Sequence, residues 1–370
     1  MNVKSNLILL MIVPALAAGA VVSGDFSSSV GAGDNLLADS TAIADQWVRV
    51  GGGLRAQLHP NFGLRWSGRW SHFLEHDELD GNSQELGIDF QKGKMTDRLL
   101  HYVGLSGSRS EYPDETYRLS SRILALESLI QYYVKPETSL RAGLEASSRN
   151  FPSFDLADQQ RMAVFAGVNH SFPGGSAVDL EAGYDRIAFI NLSEDQDQWG
   201  HGNSGHSSSS GGSDIALHLL SLQARYSRSL GANTGLALSA WTYSVVSGED
   251  EVLALPDQET LPQEVLFFGE QAVNLSLKRF LPWRLLGRIQ MQAWNRRYLD
   301  AAPVGDADTN YADRTDVGKL FGAEIWKRFH WASAIEFEPR LSLTWQGVES
   351  TDDYFDQESW SASLSLGFGF

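Results

Sequence analysis

Two histidines flank a serine in His201-Gly202-Asn203-Ser204-Gly205-His206, the residue types of a nucleophile and its general base. Such a pair works only when the base is held within hydrogen-bond reach of the hydroxyl and a third group orients it. Here the motif lies in Asn191–Ser213, a Gly/Ser-rich stretch whose composition favours motion over rigid placement. No second segment offers an orienting partner. A metal site made of the same histidines with Asp195 or Asp197 is equally unspecific. Cysteine is absent, which removes thiol nucleophiles, thiolate ligands and disulfides. The chain is expected not to be an enzyme and to need neither metal nor cofactor.

The remaining chemistry is electrostatic. Arg49, Arg55, Arg65, Arg69, Glu85, Asp89, Arg141, Glu145, Arg161, Asp179, Glu181, Asp185, Arg288, Arg296 and Glu324 each fall on the polar face of an alternating stretch. The same register places Arg118, Arg122, Arg149, Arg225, Arg340, Glu336 and Glu338 there. An Arg facing lipid at mid-bilayer would cost about 2–4 kcal/mol, so these charges call for a wet interior or a continuous ion-pair network. Neighbouring stretches differ in sign: Arg65 and Arg69 precede Glu85 and Asp89, and Arg161 precedes Asp179, Glu181 and Asp185. Opposed basic and acidic walls would create a transverse field that orients polar solutes. Alternatively, the pairs satisfy one another and stiffen the wall.

The elements that carry these charges have period two. Leu64, Trp66 and Trp70 oppose Arg65, Ser67, Arg69 and Ser71; Val178, Leu180, Ala182 and Tyr184 oppose Asp179, Glu181, Gly183 and Asp185. The pattern slips in Tyr117–Val134, where the apolar set changes face near Ala125–Ser128; either a bulge lies there or the strand runs in another register. Tight turns are marked at His59-Pro60-Asn61, Gln91–Met95, Lys135-Pro136-Glu137, Phe172–Gly175, Gly231-Ala232-Asn233, Leu281-Pro282-Trp283 and, more weakly, His330. Longer loops alternate with them near 34–43, 75–81, 110–115, 151–157, 191–213, 247–262, 299–312 and 346–357. Eight loops and seven turns connect sixteen strands, or fourteen if the first strand near Ser23–Gly33 or the turn at His330 is lost.

Aromatics gather beside the tight turns: Phe62, Tyr132, Tyr133, Phe172, Phe280, Trp283, Phe329, Trp331 and Phe370. Rings at one end of many strands suit an interfacial girdle. The long loops are acidic, with Glu75, Asp77, Glu78 and Asp80 in one and Glu194, Asp195 and Asp197 in another. Glu249, Asp250 and Glu251, and then Glu349, Asp352, Asp353 and Asp356, continue the trend. The expected fold is all-β: a transmembrane antiparallel up-and-down β-barrel of about sixteen strands, with short periplasmic turns and longer acidic extracellular loops.

Composition agrees. The 370 residues are 42% apolar, with 35 Gly and 11 Trp, and carry a formal charge of −17. An acidic chain gains nothing from phosphate polyanions, so nucleic acid is excluded as a partner. Lys4, the apolar run Leu7–Leu16 and small residues up to Ala20 predict a secretory leader over residues 1–20, leaving 21–370 as one barrel domain. Elsewhere no apolar run is long enough for a membrane helix. Strands starting so soon after the leader leave no room for an N-terminal plug.

In Glu358–Phe370, Trp360, Ala362, Leu364, Leu366, Phe368 and Phe370 share one face, opposite Ser361, Ser363, Ser365, Gly367 and Gly369. This stretch resembles the terminal strand of bacterial outer-membrane barrels, which implies recognition of Trp360, Leu364, Leu366, Phe368 and Phe370 by the barrel assembly machinery. Gly33–Asp80 carries Asp34-Asn35-Leu36-Leu37, then Asp45, the run Trp47–Leu58 and a Pro-Asn turn. It resembles the N-terminal region of outer-membrane β-barrel porin-like proteins of Gram-negative bacteria. The resemblance implies the outer membrane as location and passive transport as activity, and it names no solute.

The expected function is a channel for small hydrophilic solutes, embedded in outer-membrane lipid and lipopolysaccharide. A homo-oligomer is compatible with it. The alternatives are an export or assembly barrel with a periplasmic partner, and a surface structural or receptor barrel with a blocked lumen.

Overall fold

The computed structural model describes residues 21–34, 44–93, 97–113, 120–153, 158–190, 216–248, 268–298, 314–332, 335–351 and 356–370. The expected leader, Arg118, the His201–His206 motif and most acidic loop residues lie outside them. The first strands are β1 (Val21–Gly33), β2 (Asp45–His59), β3 (Phe62–Phe73), β4 (Gly81–Lys92), β5 (Leu99–Glu111) and β6 (Ser121–Lys135). The middle of the chain forms β7 (Thr138–Asn150), β8 (Gln159–Phe172), β9 (Ser176–Phe189), β10 (Ala216–Ser229) and β11 (Thr234–Ser247). The rest forms β12 (Phe268–Phe280), β13 (Leu286–Tyr298), β14 (Thr315–Trp326), β15 (Phe329–Ala332), β16 (Ile335–Ser350) and β17 (Gln357–Gly369).

Each strand pairs antiparallel with its neighbours, and β1 pairs with both β2 and β17, which closes the sheet into a barrel. Closure satisfies every edge, as lipid requires. β14 and β15 together make one stave, because both pair with β16. They part at Lys327 and Arg328, which lie across from Pro339, a residue with no N–H to give to the ladder. Seventeen strands therefore build sixteen staves. Both ends of the ring meet at the tight-turn rim, where Gly24 and Phe370 exchange backbone hydrogen bonds of 3.1 and 3.0 Å.

Several expectations fail in detail. His330 is not a turn: it lies inside β15 opposite Glu336, and the hairpin closes between Ala332 and Ile335. The His330–Glu336 contact at 3.1 Å and the Phe329–Phe337 ring pair at 5.6 Å hold the strands together beyond the expected turn. Nor is there a bulge near Ala125–Ser128, since β6 runs in unbroken register with β5 and β7 from Arg122 to Tyr133. Ile123 and Leu129 simply share the lumen face with Glu127, while Leu124, Leu126 and Ile130 face lipid. Arg122 consequently lies on the outer face, level with Arg109 at the loop end of its strand, beyond the apolar band.

Large apolar side chains are exposed on the outer face of nearly every stave, as lipid contact demands. At the turn end, rings form a belt: Phe62 with Phe90, Phe329 with Phe337, Phe337 with Phe368, and Phe26 with Phe370. Tyr133 does not join it, because it turns inward to Gln131, whose Nε2 donates to its hydroxyl at 3.1 Å. Trp283, 81% exposed, projects from the β12–β13 turn with φ of 61°.

The β4–β5 turn shows why one glycine is needed. Gly93 has φ of +94°, and a Cβ there would lie 2.3 Å from the Leu99 carbonyl oxygen. Gly93→Ala is expected to cost more than about 1 kcal/mol, seen as a lower urea midpoint for the refolded barrel.

Candidate functional site: the barrel lumen

The register sorts side chains by face, and contacts that skip a stave identify the concave side. Arg55 reaches Asp89 from β2 to β4, and Arg65 reaches Tyr102 from β3 to β5. Arg141 reaches Asp179 from β7 to β9. All fifteen charged residues expected inside lie on this face, and so do Arg149, Arg225, Arg340, Glu336 and Glu338. Arg122 does not.

Among the described residues most of these charges gather into three networks. In the first, Arg65 lies 3.3 Å from Glu85 and 3.5 Å from Asp89, while Tyr102 donates to Asp89 at 2.9 Å. In the second, Arg141 bridges Asp179 at 2.6 Å and Glu181 at 2.9 Å. Beside it, Arg161 grips Asp185 with both Nε and Nη2, at 2.8 and 3.0 Å, and touches Glu145 at 3.9 Å. In the third, Glu324 sits between Arg288 and Arg340, at 3.4 Å from each, and Arg340 also holds Glu338 at 2.7 Å. Nearer the loops, Glu270 accepts from Arg296 at 2.6 Å and from the Trp241 indole at 2.5 Å.

Opposite charges are therefore neighbours, not facing walls. Of the two arrangements compatible with the sequence, mutual satisfaction along the wall is the one observed. Arg49 lies over the Trp47 ring at 4.1 Å.

The lumen is not uniform. From β17 through β1 to β2, its lining is mostly Ser and Gly: Ser361, Ser363 and Ser365, then Ser27, Ser29 and Gly31, then Gly51 and Gly53. Side chains this small add little bulk to this part of the lumen face, although the Trp47 ring covers Gly31. Toward the loop end the lining turns apolar, with Trp47, Phe73 and Leu79 packed together and Trp294 packed on Ala272 and Val348. Gly318 admits the Trp294 ring, since a Cβ there would fall within 1.9 Å of it.

The β3–β4 loop is tied down at this rim. The Asp45 carboxylate accepts from the Glu75 and His76 N–H groups at 3.1 and 3.0 Å, and Asp80 accepts from Phe73 N–H at 2.8 Å. A backbone N–H and the His76 side chain hold the Glu78 carboxyl below its usual range. Part of this acidic rim is thus structural, with Asp45 and Asp80 serving as loop fasteners. No group of residues spaced to hold a metal occurs among the described residues.

Sequence reading overlooked Tyr102, Glu127, Glu270 and Lys278 as lumen residues. Parity gives a signal for Glu270 and Lys278, which alternate with Val273, Leu275 and Leu277. Tyr102 and Glu127 lie on staves with apolar residues on both faces, where parity alone is silent.

No protein-family model matches the chain, and no curated protein does. Among solved structures it is similar to CdiB from Acinetobacter baumannii, with a TM-score of 0.53 and 11% identity. That match covers 94% of this chain and 60% of CdiB, so the chain spans less than two thirds of it. The fold is that of a Gram-negative outer-membrane barrel. Such barrels lie in the outer membrane, and the apolar exterior described above suits that place. OccK1 (OpdK) of Pseudomonas aeruginosa is also similar, with a TM-score of 0.47, 10% identity and coverage of 94% of this chain and 98% of its own. For OmpT, an outer membrane protein of Vibrio cholerae, the TM-score is 0.44 at 9% identity, covering 95% and 97%. At these identities the likeness concerns the fold alone.

Proposed function

We propose that this barrel is a passive channel for small hydrophilic solutes. The observation that carries the reading is a sixteen-stave bore lined by charged and hydroxylic side chains, with no helix or globular element filling it among the described residues. Barrels of eight strands are filled by their own side chains, whereas sixteen leave room for water. Paired charges keep the wall rigid and wettable, and the Ser/Gly side adds little bulk to the lumen face. The outward row Trp360, Leu364, Leu366, Phe368 and Phe370 faces lipid, and in this reading it also meets the assembly machinery.

Arg69 stands on the lumen face with no carboxylate partner among the described residues. Neutralising it leaves no orphaned acid among the described residues. Arg69→Gln is therefore expected to shift the reversal potential under a salt gradient toward cation preference without changing refolding yield.

Swelling of proteoliposomes in sugars of graded size tests the reading. Rapid swelling in small sugars that fades with larger ones is the expected outcome. Exclusion of every sugar would turn the assignment toward an export or assembly barrel with a periplasmic partner, or a blocked receptor.

A further inference from the structure

Near the tight turns, the lumen face of β10–β13 opens into a recess of about 510 Å³. Arg225, Lys278 and Arg288 line it from the lumen face together with the amides of Gln223, Asn274 and Gln290; Arg228, of outward parity, borders it, and no carboxylate lines it among the described residues. This differs from the three networks described above, where guanidinium groups are matched to acids.

The register sharpens the contrast. Lys278 and Arg288 are direct cross-strand partners, and like charges so placed repel. Arg288 is partly relieved on its far side, with Nη2 at 3.4 Å from Glu324 and 3.1 Å from Gln290. Lys278 gains no such relief. Arg225 is the cross-strand partner of Asp179, but that carboxylate is already held by Arg141 at 2.6 Å and Asn169 at 3.1 Å. Arg225 and Lys278 are thus exposed to the lumen without an acid of their own among the described residues.

Two unmatched cations and a third half-matched one, ringed by amide donors, complement a polyatomic oxyanion. The Arg fork supplies two parallel donors, and Lys adds a mobile point charge. We propose that this recess binds small solutes bearing a carboxylate or phosphate group, as a station on the channel wall. Its place on a permeation route rests on the channel reading above; the binding itself does not.

Calorimetric titration of the refolded full-length barrel with inorganic phosphate, with succinate and with glucose tests the assignment. Saturable one-site binding of phosphate or succinate, with glucose silent, is the expected result, and the tighter of the two anions fixes the class. The double variant Arg225→Gln/Lys278→Gln should weaken binding at least about tenfold, since it removes two charge-assisted contacts. Arg225→Lys/Lys278→Arg should retain it. Lys319→Gln, a cation lost from the outer face, should leave binding unchanged. Failure of both anions to bind, or equal binding by the Gln double variant, overturns the recess. Binding by a barrel that excludes all solutes would leave the recess standing and remove only the channel.

Discussion

Leu364→Arg is expected to destabilise the barrel by about 2–4 kcal/mol, whereas Ser363→Arg, one residue away, should cost little. Leu364 lies in the middle of β17 with 56% of its surface exposed, and its cross-strand partners Val30 and Leu341 are exposed apolar residues as well. A guanidinium there must sit in hydrocarbon or pull water toward itself. Ser363 faces the other way, between Gly31 and Ser342 on the lumen face, where an added guanidinium stays out of the hydrocarbon. Urea unfolding of both variants in lipid vesicles, followed by Trp fluorescence, measures the difference. Equal losses at the two positions would mean that the inside and outside of the wall have been exchanged or that the bore is dry.

Asp89→Ala is expected to lose about 3 kcal/mol, at the lower end of the cost of breaking a buried ion pair. The Asp89 side chain is only 6% exposed and draws together Arg55, Arg65 and the Tyr102 hydroxyl. Removing it leaves two guanidinium groups facing each other on paired positions of β2 and β3. The loss should stay near the lower end because Arg55 and Arg65 keep 53% and 35% of their surface open to the lumen. Tyr102→Phe should cost about 1 kcal/mol, the worth of one hydrogen bond, with the charges intact. Urea midpoints of the two variants check the order, and a change below about 0.5 kcal/mol for Asp89→Ala would show the network to be solvated decoration.

The barrel itself was legible because lipid outside and water inside impose period two on each stave. β17 shows this most clearly, with large apolar residues on one face and Ser or Gly on the other. Legibility fell where the inside is not polar. Ile123 and Leu129 on β6 face the lumen beside Glu127, so hydrophobicity no longer reports the face, and the sequence then suggests a bulge that does not exist. Arg122 misleads for a related reason: at the loop end of a stave, outward charges have already left the hydrocarbon and cost nothing. The break opposite Pro339 depends on a missing donor on a neighbouring strand, which no local pattern encodes. Charges on the lumen face could be assigned from parity, but their partners could not. The sequence does not reveal that Arg65 meets Tyr102 across an intervening stave, or that Arg225 is left without Asp179.

Single-channel recording of the refolded barrel in a planar bilayer tests the central claim most directly. An open bore lined by locally paired charges should give a steady ohmic conductance that rises in proportion to salt concentration, with weak ion preference. A barrel that stays closed at all voltages, although folded and inserted, would contradict the channel.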